Sequence, residues 1–185
     1  MPPPWVIILN GVGSVGKTST ARALQAASAT PLLHVSMDAF LDMLPPRLLD
    51  HPDGLQFDRG MEDGHPSIAI RSGPVLARAM AGMRAAIAGL AGAGNHLIID
   101  DVITNPAAFG EYRALLAATR LRWVGLFAPL DVLEARERAR GDREIGLARW
   151  QLPRLHAGIT YDLSLDMAAL TPEAAAERIR AAFSL

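Results

Sequence analysis

The chain reads as a three-layer α/β fold built on a parallel sheet, and three observations predict it. Five short apolar runs, Val6 to Leu9, Leu32 to Met37, His96 to Val102, Arg122 to Phe127 and Tyr161 to Asp166, alternate with helical stretches, as in a sheet covered on both faces. The first run passes directly into Gly11-Val12-Gly13-Ser14-Val15-Gly16-Lys17-Thr18 and then into helix formers. Acids stand at the ends of the second and third runs, Asp38 and Asp100-Asp101, where open parallel sheets gather their ligands.

In chain order, the first helix is expected from Lys17 to about Ala29, stopping before Thr30-Pro31. The second strand delivers Asp38, and a short helix over Ala39 to Leu44 ends at Pro45-Pro46. Residues 47 to 72 are rich in Pro, Gly, Asp and His with no sustained period. They are expected to form loops and short pieces, an excursion over about 45–72 that covers a substrate. Helical patterning resumes from Pro74 to Leu90 and stops at Gly92-Ala93-Gly94-Asn95. The third strand follows, then a helix over Pro106 to Ala118 and the fourth strand ending at Pro129. A charged helix from Leu130 to Ala139 leads into Arg140-Gly141-Asp142-Arg143, an arginine-rich lid spanning about 134–146. Helices over Gly146 to Ala157 and Pro172 to Phe183 bracket the fifth strand.

A chain of 185 residues, half of them hydrophobic, fits one domain with a full core. A net charge of -1 without a basic block argues against a nucleic-acid partner. The absence of cysteine removes disulfides and thiolate metal sites. No basic leader precedes the first strand, so the expected location is cytoplasmic. The longest apolar tract, from Pro74 to Gly94, carries Arg78 and Arg84 and is read as a packed helix with no membrane partner.

The glycine loop fits G-x-x-x-x-G-K-[ST] with a strand before it and a helix after it. Its N–H groups, from Gly11, Val12, Gly13, Ser14, Val15, Gly16, Lys17, Thr18 and Ser19, would converge on a polyphosphate at the positive end of the helix. Lys17 is the only lysine in the chain, and a compact ammonium there would reach the outer phosphates of ATP. The Thr18 hydroxyl, with Asp100 or Asp101, would hold the accompanying Mg2+. Alternate residues of a strand face opposite ways, so at most one of that acidic pair points at the metal. Asp38 is read as the base that accepts the proton of a substrate hydroxyl or as the N-cap of the helix after it, two roles that do not exclude each other. Asp42 is a weaker candidate. Arg136, Arg140 and Arg143, at spacings of four and three, would share a helical face and close over the phosphates; the competing reading is a salt-bridged surface helix. Phe40, Leu41 and Phe57 would wall an organic acceptor or fill the core, and His156 and Tyr161 would lie at the mouth.

The residues resemble the chloramphenicol phosphotransferase-like family of small P-loop kinases. The matching pieces are Ile7-Ile8-Leu9-Asn10-Gly11 with Gly16-Lys17, the Asp38 segment to Leu44-Pro45, Phe57-Asp58, Ile98-Ile99-Asp100-Asp101-Val102 and Trp123-Val124-Gly125. Arg136-Glu137, Ala139-Arg140-Gly141-Asp142-Arg143 and His156-x-Gly158-x-x-Tyr161-Asp162 complete them. The resemblance implies a single P-loop kinase domain over 1–185 with five parallel strands in the order 2-3-1-4-5. It implies ATP-dependent phosphorylation of a hydroxyl on a small molecule such as chloramphenicol, an antibiotic-resistance activity, with Asp38 as base. A homo-oligomer is compatible with it. Two rivals remain, a nucleoside, sugar or shikimate-type kinase on the same fold and a nucleotide-binding regulatory protein. The second lacks an Asn-Lys-x-Asp guanine signature.

Overall fold

The computed structural model describes residues 2–141 and 144–185. Its centre is β1 (Trp5–Gly11), which pairs in parallel with β5 (His96–Asp101) on one side and β6 (Arg120–Phe127) on the other. β2 (Leu32–Ser36) and β7 (Leu163–Asp166) complete a sheet of order β2-β5-β1-β6-β7. Numbered within that sheet alone, the order is 2-3-1-4-5, as the resemblance implies. Each pair joins parallel strands, so the carboxyl ends collect along one edge.

The pleat divides the core in two. Ile7 and Leu9 of β1 point to one face, with Ile98, Val124 and Leu126. There they meet α1 (Lys17–Ala27), α5 (Leu130–Arg140), α6 (Leu147–Leu155) and α7 (Pro172–Phe183). Val6 and Ile8 point the other way, with Leu97 and Ile99, against α3 (Pro74–Gly92) and α4 (Pro106–Leu115). These β1 side chains are fully buried, and each such burial contributes roughly 1.5–3 kcal/mol. This two-sided burial makes the strands read as continuous apolar runs.

Among the described residues α3 is the one helix long and apolar enough to cross a membrane. In the fold it lays Leu76, Met83, Ile87 and Ala91 onto the core, and Arg84 pairs with Glu111 of α4 at 2.5 Å.

The segment over 47–72 departs from expectation. It holds a 3-10 turn (Pro46–Leu48) and a regular hairpin, β3 (Leu55–Glu62) and β4 (His65–Ser72), that forms its own two-stranded sheet. Asp63 and Gly64, both with positive φ, make its two-residue turn, as a type I′ connection requires. Phe57 opposes Ile70 in the ladder. Leu55, Phe57 and Ile70 share a third apolar cluster with Leu44, Leu76 and Met80. The hairpin thus has one greasy face and a solvated one.

Smaller corrections concern boundaries. Met37 opens α2 (Met37–Leu41) instead of ending β2, and β7 starts at Leu163, leaving Tyr161 and Asp162 before it. α1 stops at Ala27 and α4 at Leu115. Arg143 lies outside the described residues, and so does Asp142.

Candidate active site

The glycine loop leaves β1 at the sheet's carboxyl edge and turns under itself. Val12 and Val15 are buried in the core below it, so apolar side chains clamp the loop from beneath. Gly16, the N-cap of α1, has φ 106 and ψ 18, a left-handed conformation that residues with a Cβ rarely take. The loop therefore presents its backbone upward.

Gly13, Ser14, Gly16, Lys17, Thr18 and Ser19 line one end of a cavity of about 580 Å3. The side chains of Val12 and Val15 do not; they serve by packing. The Lys17 ammonium lies over its loop, donating to the carbonyls of Gly11 (2.9 Å) and Val12 (3.1 Å). Ser14 Oγ is buried with no hydrogen-bond partner, and an orphaned hydroxyl within such a turn is what an anion would satisfy.

The two adjacent acids separate as strand geometry dictates. The hydroxyls of Thr18 and Ser36 lie close enough to favour the charged form of Asp100, and His34 Nε2 lies 3.0 Å from its Oδ2. Burial works to raise its pKa, but these contacts outweigh it and hold the carboxyl below the usual range. Asp101 also lines the cavity, but its carboxylate is taken up on the α4 side. Its oxygens accept from Tyr112 Oη (2.8 Å) and its neighbour's N–H at Val102 (2.7 Å), and burial pushes its pKa up against those bonds. Thr18 and Asp100 offer hard oxygen ligands side by side. Among the described residues no group of three or more metal-ligating side chains is assembled. That donor set suits a Mg2+ that draws most of its ligands from phosphate and water.

Asp38 sits in the first turn of α2, whose N-cap position belongs to Ser36; the capping alternative for Asp38 is thereby excluded. It lines the cavity with Lys17, Thr18, Leu41 and Phe57. Away from the loop the wall is apolar, with Leu55, Ile70, Leu76, Met80 and Trp150, interrupted by the Arg84–Glu111 pair.

Three sequence candidates land elsewhere. Phe40 packs into the core beside α3 and does not line the cavity. Arg136 is half-buried behind the loop, donating to the carbonyls of Val15 (3.4 Å) and Met167 (2.8 Å). Through those two carbonyls it ties the loop to the end of β7. Arg140 lines the cavity, and Arg143 lies outside the described residues. Tyr161 also stands behind the loop, where its hydroxyl accepts from Asn10 Nδ2 (2.8 Å) and lies 2.8 Å from His156 Nδ1.

Burial pushes the Tyr161 pKa up to about 12, so its hydroxyl keeps its proton and donates to His156. His156 stacks on Phe127 at 4.0 Å, and its Nε2 is buried without a partner. Burial, helped by the Lys17 charge, lowers its pKa to about 4. A folded pKa below the unfolded value of about 6.5 means the unfolded chain binds more protons in between. The stability this contributes is therefore complete above pH 6.5 and lost as pH falls toward 4. Discounted for partial exposure, the loss is about 1–2 kcal/mol. Urea unfolding between pH 7 and 4.5 should show it in the native chain, and a His156→Phe chain should lack that increment of pH dependence.

Two site residues were not apparent in the sequence. Gln151 of α6 accepts the Gly13 N–H at 2.8 Å. Glu137 of α5, almost completely buried, accepts from Gly146 N (3.1 Å) and Ala148 N (2.7 Å) at the start of α6. Burial raises its pKa, with those two N–H groups opposing. Each looked like an ordinary helix-surface residue, and no spacing singled it out.

A family model described as chloramphenicol phosphotransferase-like protein matches residues 5–184. A Mycobacterium tuberculosis protein named, provisionally, an O-phosphotransferase is 34% identical over 174 residues, spanning 91% of this chain and 77% of that one. Among solved structures, a sugar kinase from Janibacter superposes with a TM-score of 0.63 at 21% identity, covering 98% of this chain and 95% of that one. An APS kinase from Mycobacterium tuberculosis, in complex with AMPPNP and APS, does so at 0.68 and 14% identity with full coverage of both. At those identities the structural likeness establishes the fold.

Proposed function

The chain belongs to the chloramphenicol phosphotransferase-like family and is a phosphotransferase of the small-molecule kinase class, and from that premise we propose that it moves the γ-phosphate of ATP to a hydroxyl of a small organic molecule. One observation carries this reading. Asp38, the phosphate loop and an apolar wall line a single cavity, so an alcohol and a triphosphate tail can meet beside one carboxylate.

ATP would lie with its β- and γ-phosphates on the loop N–H groups other than that of Gly13, which Gln151 takes, and on Ser14 Oγ, with Lys17 over the outer phosphates. Thr18 and Asp100 would hold Mg2+, which when bound offsets phosphate charge; Asp101 keeps to Tyr112 and Val102. The acceptor rests against Leu41, Phe57, Leu76 and Met80 with its hydroxyl at Asp38. That oxygen bonds to the γ-phosphorus as the bond to the β-bridging oxygen breaks, and the hydroxyl proton passes to Asp38. Arg140 stabilises charge on the transferring group, and ADP and a phosphate monoester leave. The hairpin β3–β4 is the cover over the acceptor, and the lid is the end of α5 with the turn into α6. An ATP-rich cytoplasm suits this donor.

Chloramphenicol is the first acceptor to test, and a resistance role would follow from it. A sugar or nucleoside is the alternative, and Asp38, Arg84, Asn105 and Glu111 in the lining are the groups that would pair with its hydroxyls. ADP release should be measured over a panel of chloramphenicol, sugars and nucleosides with Mg-ATP. Stimulation by an apolar-bodied alcohol is the expected result; acceleration by sugars alone would reassign the acceptor, and no acceptor-dependent release from any alcohol would remove the transfer reading.

A further inference from the structure

We propose that Gln151 is a positioning residue for the nucleotide, bracing the loop at Gly13 through its carbonyl and turning its amide N–H groups to the terminal phosphate, so that it favours triphosphate over diphosphate. This rests on the kinase reading above.

The Gln151 side chain has a planar head with one acceptor oxygen and one donor nitrogen. Its Oε1 is committed, because an N–H can donate only to an acceptor and Gly13 N lies 2.8 Å away. That contact fixes which end is oxygen. Among the described residues, Nε2 makes no hydrogen bond with a protein partner. The residue lines the same end of the cavity as Gly13, Ser14 and Lys17, yet is only 5% exposed. A donor group held this tightly at a phosphate cradle is prepaid positioning.

The support behind it is rigid. α6 is anchored at its start by the Glu137 carboxylate on the N–H groups of Gly146 and Ala148. Leu147, Ala148 and Leu155 bury the rest of the helix in the core. Gln151 therefore stands on a post that the loop cannot drag along. A Cβ on residue 13 would make only ordinary van der Waals contact with Oε1, at 3.4 Å, so the bond to Gly13 N does not depend on the glycine.

The experiment compares Gln151→Glu and Gln151→Met with the native chain. The glutamate keeps an acceptor for Gly13 but replaces the NH2 group with a negative oxygen; the methionine keeps length and removes the donor. Dissociation constants for ADP and the non-hydrolysable AMPPNP are measured by calorimetry with Mg2+ present, alongside melting curves and kcat and KM for ATP. The expected result for the glutamate is ADP affinity within about twofold of native and AMPPNP weakened at least about tenfold. For the methionine, the ratio of AMPPNP to ADP affinity should fall at least about threefold. An unchanged ratio in whichever variant melts cooperatively overturns the inference, since a purely structural brace would weaken both nucleotides alike. A native chain that binds neither nucleotide overturns the kinase reading itself, so the two failures are distinguishable.

Discussion

Replacing Asp38 with Asn will lower kcat about a hundred- to ten-thousandfold while leaving the dissociation constant for ATP within a factor of about two. The asymmetry follows from placement. Asp38 belongs to α2, which the proposed reaction assigns to the acceptor, while it assigns the nucleotide to the loop and α1. Asparagine preserves size and one acceptor oxygen but cannot take a proton. Stopped-turnover assays with saturating acceptor, paired with calorimetry for AMPPNP, measure both quantities. Full turnover in the variant would remove Asp38 from the chemistry. A parallel loss of ATP affinity would instead move it to the donor side.

Lys17→Ala will cost about a thousandfold in kcat/KM for ATP and weaken nucleotide binding together. The ammonium already lies over the loop on the Gly11 and Val12 carbonyls, so its removal deletes a charge aimed at the outer phosphates. The same substitution has a signature independent of turnover. Lys17 helps to lower the His156 pKa, so the histidine's titration, followed by NMR, will move upward in the variant. Unchanged kinetics would be incompatible with the loop as the donor site. A still histidine resonance would show that its depression is due to burial alone.

What the chain disclosed before its coordinates depended on the range of the interactions concerned. The sheet was readable because β1, β5 and β6 are buried on both faces and so spell unbroken apolar runs. The loop was readable because its glycines answer to local backbone geometry. The hairpin was misread as irregular because its outer face is polar and its short alternation is interrupted by Arg59 and Gly60. Its signal was nonetheless present in Asp63-Gly64, a turn pair between Leu55, Phe57 and Ile68, Ile70. The arginine triplet misled for a different reason. Helical spacing places Arg136 and Arg140 near one another along α5, but it does not say that the first of them is spent on the Val15 carbonyl of the loop. Gln151 and Glu137 act across 138 and 9 or 11 residues of separation, and nothing in their immediate neighbours announces such partners.

The hairpin and the turn before α6 are fastened to each other. Ile68 N–H donates to the Gly146 carbonyl at 3.1 Å, and Arg59 grips Glu144 through two guanidinium nitrogens. The exposed ion pair adds little free energy by itself, yet with the backbone bond it makes the acceptor's roof and the helix bearing Gln151 one mechanical piece. A shift of the hairpin when an acceptor binds would therefore be carried to Gln151 as a rigid movement. Thermodynamic reciprocity requires any coupling between donor and acceptor binding that results to be equal in both directions.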